Sequence, residues 1–346
     1  MKQLSLSGVT KRFPGNPGPA VDALTLTVET GEIVALLGPS GAGKTTILRL
    51  IAGFDIPDDG VIEIGGSTMT DGSQFVPPEL RGVGMVFQDY ALFPHLTTAQ
   101  NIAFGLRRLE RAARERRTGE VLGRVGLEEV ADRYPHELSG GQQQRVALGR
   151  ALAPAPKLLL FDEPFSNLDP DLRAQVRREV VEILRTTGST SILVTHDQEE
   201  AFTMADRVGV LNEGRLEQLD RPEEVYHWPA TRFVGEFVGS ADFVPGRVVP
   251  EGIETEFGLF QNQGRLPVAA RVLVMIRPDD IDISPAVDGA GVIASRQFRG
   301  SEVLYGVRLP TGQLVHSSQG STSPYGVGTR VRVQANPIHV VTFEDG

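Results

Sequence analysis

Leu36-Leu37-Gly38-Pro39-Ser40-Gly41-Ala42-Gly43-Lys44-Thr45-Thr46 decides the fold of this chain of 346 residues. It satisfies the pattern G-x-x-x-x-G-K-[ST], and both flanks supply the context that the pattern needs. Upstream, Ile33-Val34-Ala35-Leu36-Leu37 is an apolar run suited to a buried parallel strand. Downstream, Ile47, Leu48, Leu50 and Ile51 recur at helical spacing until Gly53, a C-cap residue. Glycines let backbone N–H groups close around phosphate oxygens, and a helix N-terminus adds a favourable dipole. Lys44 can then reach the β- and γ-phosphates while the Thr45 hydroxyl ligates Mg²⁺. The expectation is an α/β P-loop fold that binds a nucleoside triphosphate on residues 38–46.

Composition bounds what such a site can serve. The hydrophobic share is 40% and the charged share 23%, the balance of a water-soluble globular chain long enough for two domains. A net charge of -10 argues against a general attraction to nucleic acid. The absence of cysteine excludes disulfides and thiolate metal sites and suits a reducing compartment. Met1-Lys2-Gln3-Leu4-Ser5-Leu6 alternates like a strand and has no signal-peptide core. No apolar run approaches the roughly 20 residues that span a bilayer, so the chain is expected to form no channel of its own.

Around the phosphate loop the chain punctuates itself. Residues 3–9 and 21–28 read as antiparallel strands separated by Pro14-Gly15-Asn16-Pro17-Gly18-Pro19, which suits neither ladder nor helix. Phe13, just before that loop, reads equally as a core-edge residue and as a face for a purine base. Asp58-Asp59-Gly60 turns into the strand Val61-Ile62-Glu63-Ile64, and residues 81–88 read as a buried strand with Gln88 at its polar tip. Residues 101–110 and 111–125 read as helices within a helical insert spanning about 89–152. Asp169-Pro170 has the form of a helix start, with Asp169 as N-cap and Leu172, Val176, Val180 and Leu184 on one face. Thr190-Ser191-Ile192-Leu193-Val194-Thr195-His196 is another buried strand, and residues 208–219 read as a closing hairpin. Near Ser240 the pattern changes to short alternating runs such as Val303, Tyr305, Val307 and Leu309, which suit a small β-barrel. Residues 226–239, with aromatics, Pro229 and Gly235, read as an ordered linker packed on both domains.

Three strand tips bring chemistry toward the phosphate loop. Leu158-Leu159-Leu160-Phe161 runs directly into Asp162-Glu163, which disfavours reading the two carboxylates as a merely solvated pair. Asp162 suits a Mg²⁺-organising carboxylate acting through water. Glu163 points elsewhere and suits activating a water toward the γ-phosphate. Of six histidines, His196 alone ends a buried strand beside the site, where it can sense the γ-phosphate; the other five read as surface or core residues. Gln88 holds the equivalent place on its own strand. Leu138-Ser139-Gly140-Gly141-Gln142 precedes a helix, and so offers a second anion cradle or a simple N-cap at Ser139.

Taken in order, residues 38–45, Gln88, 138–142, 158–163, Ser166-Asn167-Leu168-Asp169 and His196 resemble the ATPase subunit of ATP-binding cassette transporters, over roughly residues 1–235. The resemblance implies a head-to-tail homodimer with two ATPs, each held between residues 38–46 of one subunit and Ser139, Gly140, Gly141 and Gln142 of the other. It makes Phe13 the adenine-stacking aromatic, where the family usually has tyrosine. Mg²⁺ falls to Thr45, Gln88 and Asp162, catalysis to Glu163, His196 and Gln88, and the contact with the opposite subunit to Asp169. Residues 88–96 are expected to line a groove for a permease's coupling helix. Asn167 stands where alanine is common.

A single cassette followed by an all-β tail at 236–346 resembles importer ATPases carrying an oligonucleotide/oligosaccharide-binding-like (TOBE) regulatory domain. That group serves maltose, polyamines, sulfate, molybdate and ferric iron. Tyr134-Pro135-His136-Glu137-Leu138-Ser139-Gly140-Gly141-Gln142-Gln143-Gln144-Arg145, Gly264-Arg265-Leu266-Pro267-Val268 and Ile276-Arg277-Pro278-Asp279 are similar to the ferric-iron branch. The implied partners are two transmembrane permease subunits and a periplasmic or lipoprotein solute-binding protein. The implied location is the cytoplasmic face of a bacterial inner membrane, with no role for nucleic acid. The alternatives are import of polyamine, sulfate, molybdate or sugar, and a soluble ATPase of the same superfamily unconnected with transport.

Overall fold

The computed structural model describes residues 1–345 apart from Asn16 and Arg265; Asn16 of the expected proline-glycine loop and Arg265 of the tail stretch therefore lie outside the described residues. The chain divides into two compact units, Met1–Pro222 and Glu223–Gly346.

In the first unit, β1 (Lys2–Lys11) and β2 (Val21–Glu29) pair antiparallel, as their alternation predicts. Next come β3 (Ile33–Leu37), α1 (Lys44–Ala52), β4 (Asp59–Ile64), β5 (Ser67–Thr70) and β6 (Val83–Val86). The helical insert supplies α2 (Thr98–Ala103), α3 (Arg111–Val125) and α4 (Gly140–Leu152). After it come β7 (Leu158–Asp162), α5 (Pro170–Thr186), β8 (Ser191–Thr195), α6 (Gln198–Met204), β9 (Arg207–Asn212) and β10 (Arg215–Asp220). One sheet runs β2-β1-β4-β5 and the other β10-β9-β3-β8-β7-β6. In the second sheet β6, β7, β8, β3 and β9 are parallel, and β10 closes it antiparallel. A single apolar core joins Leu4 and Leu26 of the first sheet, Ile47 and Leu48 of α1, and Leu36, Leu160 and Val194 of the second. The helix behind the phosphate loop is thus clamped between two sheets, which is what full burial of its apolar face requires.

Two local expectations are corrected. The strand ending near Gln88 is the edge of its sheet, and only Gly84 and Val86 along it are buried. The helix expected at 101–110 starts earlier and stops sooner. Thr97 and Gln100 form a capping box ahead of α2, and a 3₁₀ turn at Phe104–Leu106 ends it. A side chain at Gly105 would press on Pro154, so this turn is held close to the C-terminal end of α4. Asp169 occupies the N-cap position of α5 with Pro170 in the first turn, as expected, but its side chain makes no capping bond.

Residues 226–239 are grouped with the C-terminal unit and hold the end of α7 (Pro222–His227) and all of α8 (Arg232–Phe237). Buried Arg277 fastens them, donating to the carbonyls of Tyr226, Gly235 and Ser240. The rest of the unit is all β. Strands β11 (Asp242–Val249), β12 (Gly252–Thr255), β13 (Gly258–Phe260), β14 (Arg271–Ile276), β15 (Ile281–Pro285) and β16 (Gly291–Phe298) come first. They are followed by β17 (Glu302–Arg308), β18 (Leu314–Gly320), β19 (Arg330–Ala335) and β20 (Val341–Glu344). They form two antiparallel sheets, β13-β12-β11-β14-β20 and β15-β19-β16-β17-β18, around one core that includes Val303, Tyr305 and Val307. The second sheet curls until Ser317 and Gln319 of β18 donate side-chain hydrogen bonds to the Ile281 carbonyl of β15. The small barrel therefore closes through side chains instead of a backbone ladder.

Candidate functional site

Parallel register is what assembles the site. Leu37 pairs with Thr195, Asp162 with Val194, and Val86 with Phe161. Consequently Gly38, Glu163, His196 and the Phe87-Gln88 pair all leave the same sheet edge within one or two residues of the last ladder pair. In an open α/β sheet that edge is where ligands bind.

The phosphate loop itself is a tight backbone cradle. Gly43 has φ 95° and begins α1; a side chain there would collide with the carbonyl of Ala20. Lys44 is buried, and its Nζ donates to the carbonyls of Gly38 and Pro39 at 2.7 and 2.9 Å. Among the described residues no ion pair with a carboxylate is recorded for it. Burial lowers its ammonium pKa from the ordinary lysine range, opposed by the negative charges of Glu163 and Asp162. A buried cation bonded to loop carbonyls is suited to an anionic ligand at the loop. The Thr45 Oγ1 donates to Asp162 Oδ1 at 3.1 Å, so a hydroxyl and a carboxylate already share one point at the helix start. That oxygen-only donor pair fits Mg²⁺. The Asp162 carboxyl is raised above the usual aspartate range, first by burial and also by Glu163, with the Thr45 bond opposing both.

Glu163 turns away from this pair. It sits at φ 44°, a left-handed conformation uncommon for a residue with a side chain, and its N–H donates to Val194 O at 3.0 Å. The carboxylate thereby reaches His196 Nδ1 at 3.0 Å. Adjacent carboxylates thus face different partners, one the P-loop threonine and the other the histidine. Glu163, His196, Gln88, Thr195, Ser166 and Asn167 line a cavity of about 240 Å³. Gln88 shares that cavity, but among the described residues no bond joins it to Thr45 or Asp162. Thr195 Oγ1 donates to buried Glu200 at 2.6 Å, and burial raises that carboxyl above the usual range.

Among the described residues no hydrogen bond joins the remaining expected residues to the loop. Ser139 caps α4 reciprocally with Gln142: its Oγ accepts from the Gln142 N–H, and the Gln142 Oε1 accepts from the Ser139 N–H. Both readings of the stretch are therefore compatible, because the cap leaves the first N–H groups of the helix unpaired within it. Side chains at Gly140 or Gly141 would press on Leu168 and Val176, so both glycines are required by packing against α5 and the turn before it. Among the described residues no hydrogen bond joins Ser139 or Gln142 to the phosphate loop. Asp169 is exposed. Phe13 is half-buried with the Lys11 ammonium 5.4 Å from its ring centroid.

Reading the sequence alone missed several supports. Arg81, 1% exposed, donates to the carbonyls of Leu50 and Ile51 at the end of α1 and to that of Val76. Asn101 accepts from the Phe93 N–H and donates to the carbonyls of Phe93, Leu96 and Thr97, shaping the stretch after Gln88. Arg150 donates to the carbonyls of Tyr90 and Ala91 in the same stretch, and as the one cation of the run 146–152 it is a usable signal; Arg81 precedes a strand and has none.

Comparison with known proteins shows the family. A family described as ABC transporter matches residues 21–166, and one described as TOBE domain matches residues 274–343. The chain is 44% identical over 354 residues to the spermidine/putrescine import ATP-binding protein PotA of Marinobacter nauticus, covering 96% of this chain and 93% of that one. It is 46% identical over 318 residues to the Fe(3+) ions import ATP-binding protein FbpC 2 of Rhodococcus jostii, covering 89% and 88%. A solved dimeric post-hydrolysis state of an ATP-binding cassette, bound to ADP and Pi, matches with a TM-score of 0.54 at 32% identity, over 63% of this chain and 98% of that one. The phosphate loop, the strand tips around it and the all-β tail thus belong together: the chain is a member of the ATP-binding cassette family, among the import ATP-binding subunits that carry a TOBE domain.

Proposed function

We propose that the chain hydrolyses MgATP at a site completed by a second copy of itself, and that this drives a bacterial importer whose cargo is ferric iron. The observation that carries the reading is the division of labour at the sheet edge. Thr45 meets Asp162, His196 meets Glu163, and the buried Lys44 feels both carboxylates yet makes no ion pair among the described residues. In this reading Gly38, Pro39, Ser40, Gly41, Ala42, Gly43, Lys44, Thr45 and Thr46 hold the triphosphate, and Phe13 stacks on the base. Thr45, Asp162 and Gln88 are the residues that hold Mg²⁺; when bound, the ion offsets charge on the phosphate oxygens. Glu163 takes the proton of the attacking water, and His196, anchored on that carboxylate, orients the γ-phosphate side of the site.

The N-terminal end of α4 caps and packs its own helix but makes no hydrogen bond to the phosphate loop among the described residues, and Asp169 is exposed. They suit a head-to-tail partner, whose ATP Ser139, Gly140, Gly141 and Gln142 would cover. Domain limits of 1–235 and 236–346, with a helical subdomain at 89–152, complete the reading. None of the described helices is long and apolar enough to cross a membrane, so permease subunits supply the path. The chain works at the cytoplasmic face of the membrane, and a solute-binding protein delivers cargo from outside. The ferric-iron assignment rests on the stretch around Ser139 and on the 46% identity to a ferric-ion import subunit. Polyamine import is the second reading, favoured by the 44% identity to a spermidine/putrescine subunit over 96% of the chain.

Mixing two inactive variants tests the shared site. Lys44→Ala and Ser139→Arg are each expected to turn over poorly, and their mixture to recover activity because half of the sites in a mixed dimer are intact. No recovery, or full turnover by a monomer, refutes it. Uptake of radiolabelled ferric iron and putrescine by a strain lacking the chain decides the cargo.

A further inference from the structure

The turn that follows β6 is held in an unfavourable backbone conformation by side chains from two distant elements. Tyr90 and Ala91 have φ 61° and 46°, two consecutive left-handed residues that are not glycine. Such residues persist only where their surroundings over-determine them. Arg150 supplies one constraint: its Nη2 donates to Tyr90 O at 2.8 Å and its Nη1 to Ala91 O at 2.5 Å. Asn167 supplies the other, its Nδ2 donating to the carbonyl of Gln88 at 2.9 Å. A carbonyl accepts only, so the amide nitrogen of Asn167 must be the end that faces it.

The origin of the two side chains gives the arrangement its meaning. Arg150 lies in the last turn of α4, the helix that Ser139 caps. Asn167 lies two residues before Asp169, in a turn whose Ser166 Oγ donates to the carbonyl of Glu163 at 3.0 Å. Resting on the reading that Ser139 and Asp169 face a second copy, we propose that Asn167 and Arg150 are positioning residues for Gln88. Each ties the Gln88 turn to one of the two elements that meet the partner. Seating the second copy then sets where the Gln88 amide stands, and through Ser166 the same turn holds the backbone of Glu163. Neither residue touches nucleotide in this scheme; both act through Gln88.

The test is a set of double-mutant cycles on the full chain, reading kcat, KM for MgATP and melting temperature. Asn167→Asp keeps the shape and removes the donor, and Arg150→Lys keeps the charge and removes the paired bonds. Each is expected to lower kcat about five-fold, the worth of roughly one hydrogen bond, with KM within about two-fold because Lys44 and Thr45 still hold ATP. In a Gln88→Ala background each should lower kcat no further. Asn167→Gln, which restores a donor, should recover part of the rate. Multiplicative losses in the Gln88→Ala background overturn the proposal, as does an effect on KM alone. Unchanged kcat in Gln88→Ala itself overturns the catalytic reading of Gln88 and this proposal with it, whereas reduced kcat there with a silent Asn167→Asp overturns only this one.

Discussion

Glu163→Gln isolates one chemical step, because the structure shows how little else the substitution changes. The residue sits at φ 44°, a strain that glutamine bears equally, so no backbone energy is released. Its N–H still donates to Val194 and its carbonyl still accepts from Ser166, since neither bond uses the side chain. The His196 Nδ1–H, 3.0 Å from the carboxylate, can donate to an amide oxygen as well. Two electrostatic effects remain, and they oppose each other. Removing the charge takes away support for the Lys44 ammonium, but also a like charge beside Asp162. What is lost outright is the proton acceptor. A positioned general base contributes about 10²–10⁴ in rate, or roughly 3–5 kcal/mol of barrier. Turnover of MgATP by the purified chain should fall by that factor, while ATP binding by equilibrium dialysis stays within about two-fold and the melting temperature within about 2 °C. A kcat within ten-fold of the parent, in a chain that binds ATP and melts normally, would refute the assignment of Glu163 as base.

Two further outcomes follow from buried charge. Arg81→Met removes three hydrogen bonds to carbonyls, two of them at the end of α1. It should destabilise the chain by about 3 kcal/mol, which for a unit of this size lowers the melting temperature by roughly 6–12 °C; a shift under about 2 °C in a calorimetric scan would contradict it. Asp162→Asn should do the opposite in the nucleotide-free chain. The folded state raises this carboxyl above its unfolded value, chiefly through burial, so the folded state binds the proton more tightly and parent stability rises as pH falls through the raised value. The variant should therefore melt higher than the parent at neutral pH, with the difference shrinking toward the ordinary carboxylate range, where the parent is protonated. A difference that grows on acidification would reverse the sign and refute the cause given.

Much of this site was legible because its parts are written locally. The phosphate loop needs glycines, a lysine and a hydroxyl at fixed spacing, and α3 occupies Arg111–Val125, the span its pattern predicts. Burial of Leu158–Phe161 ahead of two carboxylates could be read from four residues in a row. Where reading failed, a neighbour decided. The strand before Gln88 looked buried on composition, yet it has a partner on one side only. Residues 226–239 looked like a linker until Arg277, far along the chain, bound three of their backbone carbonyls or those beside them. Asp169 and Pro170 do start α5 as their order predicts, but whether the Asp169 side chain closes a capping bond is not written in that order, and it closes none.

The sequence by itself determined that a nucleoside triphosphate site exists, which strand tips bear its polar residues, and that an all-β tail follows. Short-range spacing encodes all of these, since phosphate binding and strand burial depend on residues a few positions apart. Only the tertiary structure decided that Asp162 turns to Thr45 while Glu163 turns to His196, and that Asn167 and Arg150 grip the Gln88 turn from either side. Parallel pairing sets those meetings, because it aligns the ends of strands that are distant in the chain. No periodicity records which side chain crosses which gap once those ends are brought together.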